Sequence, residues 1–126
     1  MIYINEALKY LGVPYKNGGM SMKGIDCSGL INVATGQTTR VWHTSSGTPP
    51  PGKWIVIELN KTSHDSFILE LKKGDLLLWR GHAAFYFSDT QIFHARKPGT
   101  RVGFTNDLKS YWLKERGYPI VYRQLY

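Results

Sequence analysis

Gly24-Ile25-Asp26-Cys27-Ser28-Gly29-Leu30-Ile31-Asn32-Val33-Ala34 is the stretch on which the fold turns. Cys27, Leu30, Ile31 and Ala34 fall at i, i+3, i+4 and i+7, one face of a helix that begins at the cysteine and stops near Gly36. The thiol then sits in a first helical turn, just after a flexible loop. Unpaired backbone N–H groups and the helix dipole at that end favour a thiolate. The same N–H groups suit an oxyanion formed when a thiolate attacks a carbonyl. Gly29 lets another element approach the helix closely. On spacing alone Cys27 is equally well the first residue of a buried apolar stripe, because free cysteines are mostly buried and inert.

Upstream, Tyr3, Ala7, Leu8 and Leu11 recur at helical spacing and predict a first helix from about Ile2 to Leu11. Gly12 ends it and Pro14 prevents its resumption. Tyr15-Lys16-Asn17-Gly18-Gly19 reads as a loop that brings backbone close to a neighbour. Downstream, Gln37 to Lys73 is the least regular part. Its Thr44–Gly52 segment is a loop, since Pro49, Pro50 and Pro51 lack backbone donors, and Trp54 to Leu59 has strand composition. Asp75 to Arg80, His82 to Ser88, Gln91 to Ala95 and Arg101 to Phe104 then read as successive antiparallel strands, with Tyr118 to Tyr126 as a closing strand. Helices first and strands afterwards predict an α+β domain with helices packed on one face of the sheet.

Two of the four histidines lie on those strands. His82, Ala84 and Tyr86 share one strand face. A three-residue connection at Ser88-Asp89-Thr90 pairs Phe87 with Gln91 and Ala84 with His94. It sets His94 diagonally across from His82, roughly 7–8 Å apart at the backbone. A two-residue turn sends the two histidines to opposite faces, so their meeting requires an odd loop or a bulge. Cys27, His82 and His94 then follow the order nucleophile, base and base-orienting group. His43 and His64, in the irregular middle, read as surface residues.

At 126 residues the chain is expected to form one domain, residues 1–126, and its 42% hydrophobic and 20% charged content is ordinary for a globular protein. A single cysteine rules out an internal disulfide and any multi-cysteine zinc site, and no His-Glu-x-x-His spacing exists. Neither a metal nor a cofactor is expected. The formal charge of +7 points to an anionic partner. The basic residues are spread along the chain without a run, which disfavours nucleic acid and suits a polyanionic wall or a carboxylate-rich peptide. No apolar run reaches membrane-span length and no signal peptide precedes Tyr3. Read as complete, the chain is expected to be cytoplasmic as synthesised and to reach a wall by a signal-independent route.

Two blocks resemble the NlpC-type family of bacterial cell-wall cysteine peptidases. One is Ala7-Leu8-Lys9-Tyr10-Leu11-Gly12-Val13-Pro14-Tyr15 with Gly18-Gly19 and Gly24-Ile25-Asp26-Cys27-Ser28-Gly29-Leu30. The other is Lys73-Gly74-Asp75-Leu76, Trp79, Gly81-His82-Ala83-Ala84-Phe85-Tyr86 and Ile92-Phe93-His94-Ala95. The resemblance implies a papain-like α+β fold, with N-terminal helices carrying the cysteine packed on a small antiparallel sheet carrying the two histidines. It implies hydrolysis of peptidoglycan stem peptides or muropeptides, commonly between D-glutamyl and diamino-acid residues. By position it makes Cys27 the nucleophile, His82 the base and His94 the orienting residue. It places Tyr15 at the oxyanion site, and Asp26 and Ser28 where some members contact the substrate's amino end. Asp26 reads equally as a helix N-cap, and Tyr15 as a packing aromatic. The family's Leu-Pro-Arg-like segment after the cysteine helix is not found among residues 37–72. A Cys-His-Asn/Glu amidase is disfavoured by His94, and a permuted acyltransferase by the Cys-before-His order. The alternative from another class is a non-catalytic peptidoglycan-binding or structural module of a phage tail or envelope assembly. An injected toxin of this kind would require an immunity protein as partner.

Overall fold

A computed structural model describes residues 1–125. In chain order it contains α1 (Tyr3–Leu8), β1 (Met20–Ser21), β2 (Gly24–Ile25), α2 (Cys27–Ala34), β3 (Trp54–Ile57), α3 (His64–Leu69), β4 (Leu76–Trp79), β5 (His82–Ser88), β6 (Gln91–His94), β7 (Gly103–Thr105), a π-helix (Leu108–Arg116) and β8 (Ile120–Gln124). The α+β reading is therefore correct. α1 is shorter than expected, because the chain passes into turns before Gly12, whose φ of +87° suits only glycine without strain. The closing strand starts at Ile120, after Pro119, and Tyr126 of the expected strand lies outside the described residues.

Six strands form one antiparallel sheet in the order β3-β8-β4-β5-β6-β7, and β1 and β2 form a separate small hairpin. Alternation along the strands gives the sheet two apolar faces. On one, Leu76, Ala83, Phe85 and Phe93 pack against Ile4 and Ala7 of α1 and Leu30 and Ile31 of α2. On the other, Leu77, Trp79, Ala84 and Ile92 pack against Phe67 of α3 and Leu108, Trp112 and Leu113 of the π-helix. Helices thus cover both faces, not one. α3, the π-helix and the β1–β2 hairpin have no counterpart in the sequence reading.

The β5–β6 turn decides which face the histidines occupy. Ser88 pairs with Gln91, so the connection is the two residues Asp89-Thr90, with Asp89 at φ +49°. Phe87 therefore does not pair with Gln91. A bulge between Tyr86 and Ser88 absorbs the extra residue, and Phe85 still pairs with Phe93. Continuing that register sets Ala84 opposite His94 and keeps both histidines on one face.

Candidate active site

Asp26 is the N-cap of α2, with extended backbone, and it fixes where the helix begins. Its Oδ1 accepts from the Gly29 N–H at 2.7 Å and lies 2.9 Å from Arg40 Nη2, while its Oδ2 accepts from the Gly18 N–H at 2.7 Å. Arg40 also donates to the Gly19 carbonyl at 3.1 Å. Gly29 has no room for a side chain: a Cβ there would land on the Gly19 carbonyl oxygen. The Gly18-Gly19 loop is thereby clamped onto the first turn of α2.

That clamp presents Cys27, which is buried at the helix start. The Ala83 backbone N–H and Ser28 lie close enough to its sulfur to favour the charged form. Burial pushes the thiol above its ordinary value and is the largest effect; the Ala83 N–H opposes it, the nearby Asp26 charge adds to it, and the Ser28 bonds oppose it again. The helix-start position alone leads one to expect a thiolate. Here burial wins, and the resting group is a thiol.

Ala83 follows His82, the first residue of β5, so the thiol from one face of the sheet reaches the end of the strand that carries the histidines. The His82 ring stacks on Trp112 of the π-helix, with centroids 4.4 Å apart and planes 14° apart. Its Nε2 lies 2.8 Å from His94 Nδ1, and His94 Nε2 lies 2.8 Å from Thr105 Oγ1. Burial lowers the pKa of His82 to about 3, helped by the His94, Arg116 and Arg96 charges. Burial likewise lowers His94 to about 4, Asp107 opposing the shift and Arg96 adding to it. Both imidazoles are uncharged at neutral pH, which matches a neutral thiol and suits a base waiting for a proton.

Tyr15 stands half-buried beside this group. Burial, then the charges of Cys27 and Asp26, raise its phenol, with Arg40 opposing. Ser28 Oγ accepts the Thr44 N–H at 3.1 Å and so ties the irregular middle segment to α2. Between that segment and the end of the sheet runs a groove of about 560 Å³, lined by Thr44, Thr48, Pro49, Leu78, Trp79 and Arg80. Trp79, in its lining, is the strand partner of His82, while neither Cys27 nor His82 lines the groove. His43 is exposed and His64 packs its ring on Tyr118 at 5.7 Å; neither joins the site. Among the described residues no cluster of three or more His, Cys, Asp or Glu offers a metal site. The sequence reading missed Arg40 and Trp112. Arg40 closes Thr38-Thr39-Arg40, six residues beyond the end of α2, and the isolated arginine is the signal the sequence offers.

A free thiol at a helix start, next to a hydrogen-bonded histidine pair on an antiparallel sheet, defines the papain-like cysteine peptidase class. Residues 12–118 match the NlpC/P60 family, and the chain belongs to that family. It is 34% identical over 105 residues to "Dipeptidyl-peptidase 6" of Lysinibacillus sphaericus, covering 79% of this chain and 33% of that protein. It is 31% identical over 118 residues to "Murein DD-endopeptidase MepS/Murein LD-carboxypeptidase" of Escherichia coli, covering 88% of this chain and 56% of that protein. The chain thus spans from a third to little over half the length of these curated relatives. Among solved structures, the NlpC/p60 domain of peptidoglycan hydrolase SagA superposes with a TM-score of 0.63 at 26% identity, covering 98% of this chain and 97% of that one.

Proposed function

We propose that residues 1–126 form one catalytic domain that hydrolyses amide bonds in peptidoglycan stem peptides, with Cys27 as nucleophile, His82 as base and His94 as its orienting partner. One observation carries this reading: the Cys27 thiol at the start of α2 lies near the Ala83 N–H, one residue after His82, and His82 is hydrogen-bonded to His94. Relatives bearing endopeptidase names support the substrate class. On attack, the thiol proton passes to His82 as sulfur bonds to the scissile carbonyl carbon. Tyr15 and the backbone N–H groups at the start of α2 face the developing oxyanion. His82 then gives its proton to the leaving amine, and water, deprotonated by the same histidine, hydrolyses the thioester and frees the thiol. Asp26 and Ser28, already bonded to Gly18, Arg40 and Thr44, shape the site for the substrate's amino end. The D-glutamyl–diamino acid bond is the bond proposed to be cut. Among the described residues no helix is long and apolar enough to cross a membrane, and the wall is the proposed place of action. An immunity protein enters only if the chain is delivered as a toxin.

Mass spectrometry of purified muropeptides after incubation tests this. New fragments ending at D-glutamate are expected with wild-type protein and none with Cys27→Ala. An unchanged profile at all protein concentrations would refute the substrate class, and equal cleavage by Cys27→Ala would refute the thiol.

A further inference from the structure

The hydrogen-bonded chain that begins at His82 does not end at Thr105. Thr105 Oγ1 lies 2.6 Å from Asp107 Oδ1, and Asp107 Oδ2 lies 3.0 Å from Arg96 Nη2. A carboxylate only accepts, so the single hydroxyl proton of Thr105 points at Asp107. The Thr105 oxygen is left as an acceptor toward His94, 2.8 Å away, and His94 must carry its proton on Nε2. His94 Nδ1 is then bare and accepts the Nε2–H of His82 across 2.8 Å. His82 Nδ1 is the one ring nitrogen of the pair left free to take a proton from Cys27. The reverse arrangement turns the Thr105 proton toward His94 and leaves two oxygen acceptors facing each other at 2.6 Å with no hydrogen between them.

We propose that Asp107, acting through Thr105 and held by Arg96, is a positioning residue that sets the tautomer of both histidines and so makes His82 Nδ1 the base. The inference rests on Cys27 and His82 being nucleophile and base. Because both rings are uncharged, the two tautomeric arrangements are the choice left to them, and one carboxylate two residues beyond Thr105 makes it.

Asp107→Asn tests the polarity without changing shape. Arg96 still demands an acceptor, so the amide oxygen turns toward Arg96 and the amide NH₂ toward Thr105. That NH₂ donates to Thr105 Oγ1, the hydroxyl proton swings to His94, and both histidines pass to Nδ1–H. Long-range ¹H–¹⁵N spectra of the imidazole nitrogens at pH 7 read the tautomers directly, alongside kcat and KM on a soluble muropeptide. Wild-type protein should show Nε2–H on both rings. Asp107→Asn should show Nδ1–H, with kcat lower by about 100-fold or more and KM within about twofold. Thr105→Val should lose the Nε2–H preference and a comparable share of kcat, and Thr105→Ser should recover most of both, which separates the hydroxyl from its packing. That pair decides the matter alone if Asp107→Asn does not fold. Nδ1–H rings in the wild type, or tautomers unchanged in both Asp107→Asn and Thr105→Val, would overturn the proposal. A wild-type protein with Nε2–H rings and no muropeptide hydrolysis would instead fault the hydrolase reading.

Discussion

Cys27 and His82 are both uncharged at neutral pH, because burial raises the thiol and lowers the imidazole together. In the proposed reaction the cost of ionisation is met when the proton moves from sulfur to nitrogen, and His94 and Trp112 hold the His82 ring in place. A pH consequence follows. The acid limb of kcat/KM reports the free protein's base, so it should lie between about pH 3 and 4, below the value of about 6.5 for a free imidazole. Stability moves the same way. Between about pH 6.5 and pH 3 the unfolded chain binds protons on these histidines that the folded chain refuses, so folding loses stability as pH falls through that window. Thermal melting should show the decline, and His94→Gln should make it shallower. An acid limb near 6.5 would mean that the histidines are solvated.

At the scale of elements, the site depends on how tightly α2 seats against the Gly18-Gly19 loop. Gly29→Ala forces a methyl against the Gly19 carbonyl, with Asp26 Oδ1 only 3.0 Å away. Overpacking of this kind costs about 1–3 kcal/mol, and a displaced nucleophile loses about 100-fold in rate. Calorimetry and a turnover assay on that variant should show both losses; wild-type values for both would mean the loop yields freely. The same segment shows why parts of the fold were legible. Cys27 opens α2 because the Asp26 cap and the apolar spacing agree, and β5 runs from His82 to Ser88 as alternation implies. The π-helix escaped the sequence reading because Leu108, Trp112 and Leu113 recur at four and five residues, a poor match to α-helical periodicity. α3 escaped because its six residues, capped by Ser63, hold only Phe67 as a buried anchor. The histidine pairing was legible only as a condition, since alternation cannot locate the bulge between Tyr86 and Ser88. Tertiary partners such as Arg40 and Asp107 lie far from Cys27 and His82 in sequence, and nothing in local pattern joins them.

The molecule as a whole places Cys27 and the histidine pair on a sheet sandwiched between two layers of helices. Under the proposed function, the surplus of seven positive charges serves docking on a polyanionic wall. Such attraction is screened beyond about 8–10 Å near physiological ionic strength, while contacts in the buried site are not. Hydrolysis of intact wall should therefore fall with added salt more steeply than hydrolysis of a small soluble muropeptide at the same pH. Equal slopes would assign the charge to another partner. The most direct measurement is the mass of the intact protein, quenched with acid in the first turnovers on a soluble muropeptide. Wild-type protein should gain the mass of the acyl fragment, mapped to Cys27 and lost as product forms, whereas Cys27→Ala should gain nothing and release no product. Turnover without an adduct on Cys27, sustained by Cys27→Ala, would contradict the assignment of a thiol nucleophile.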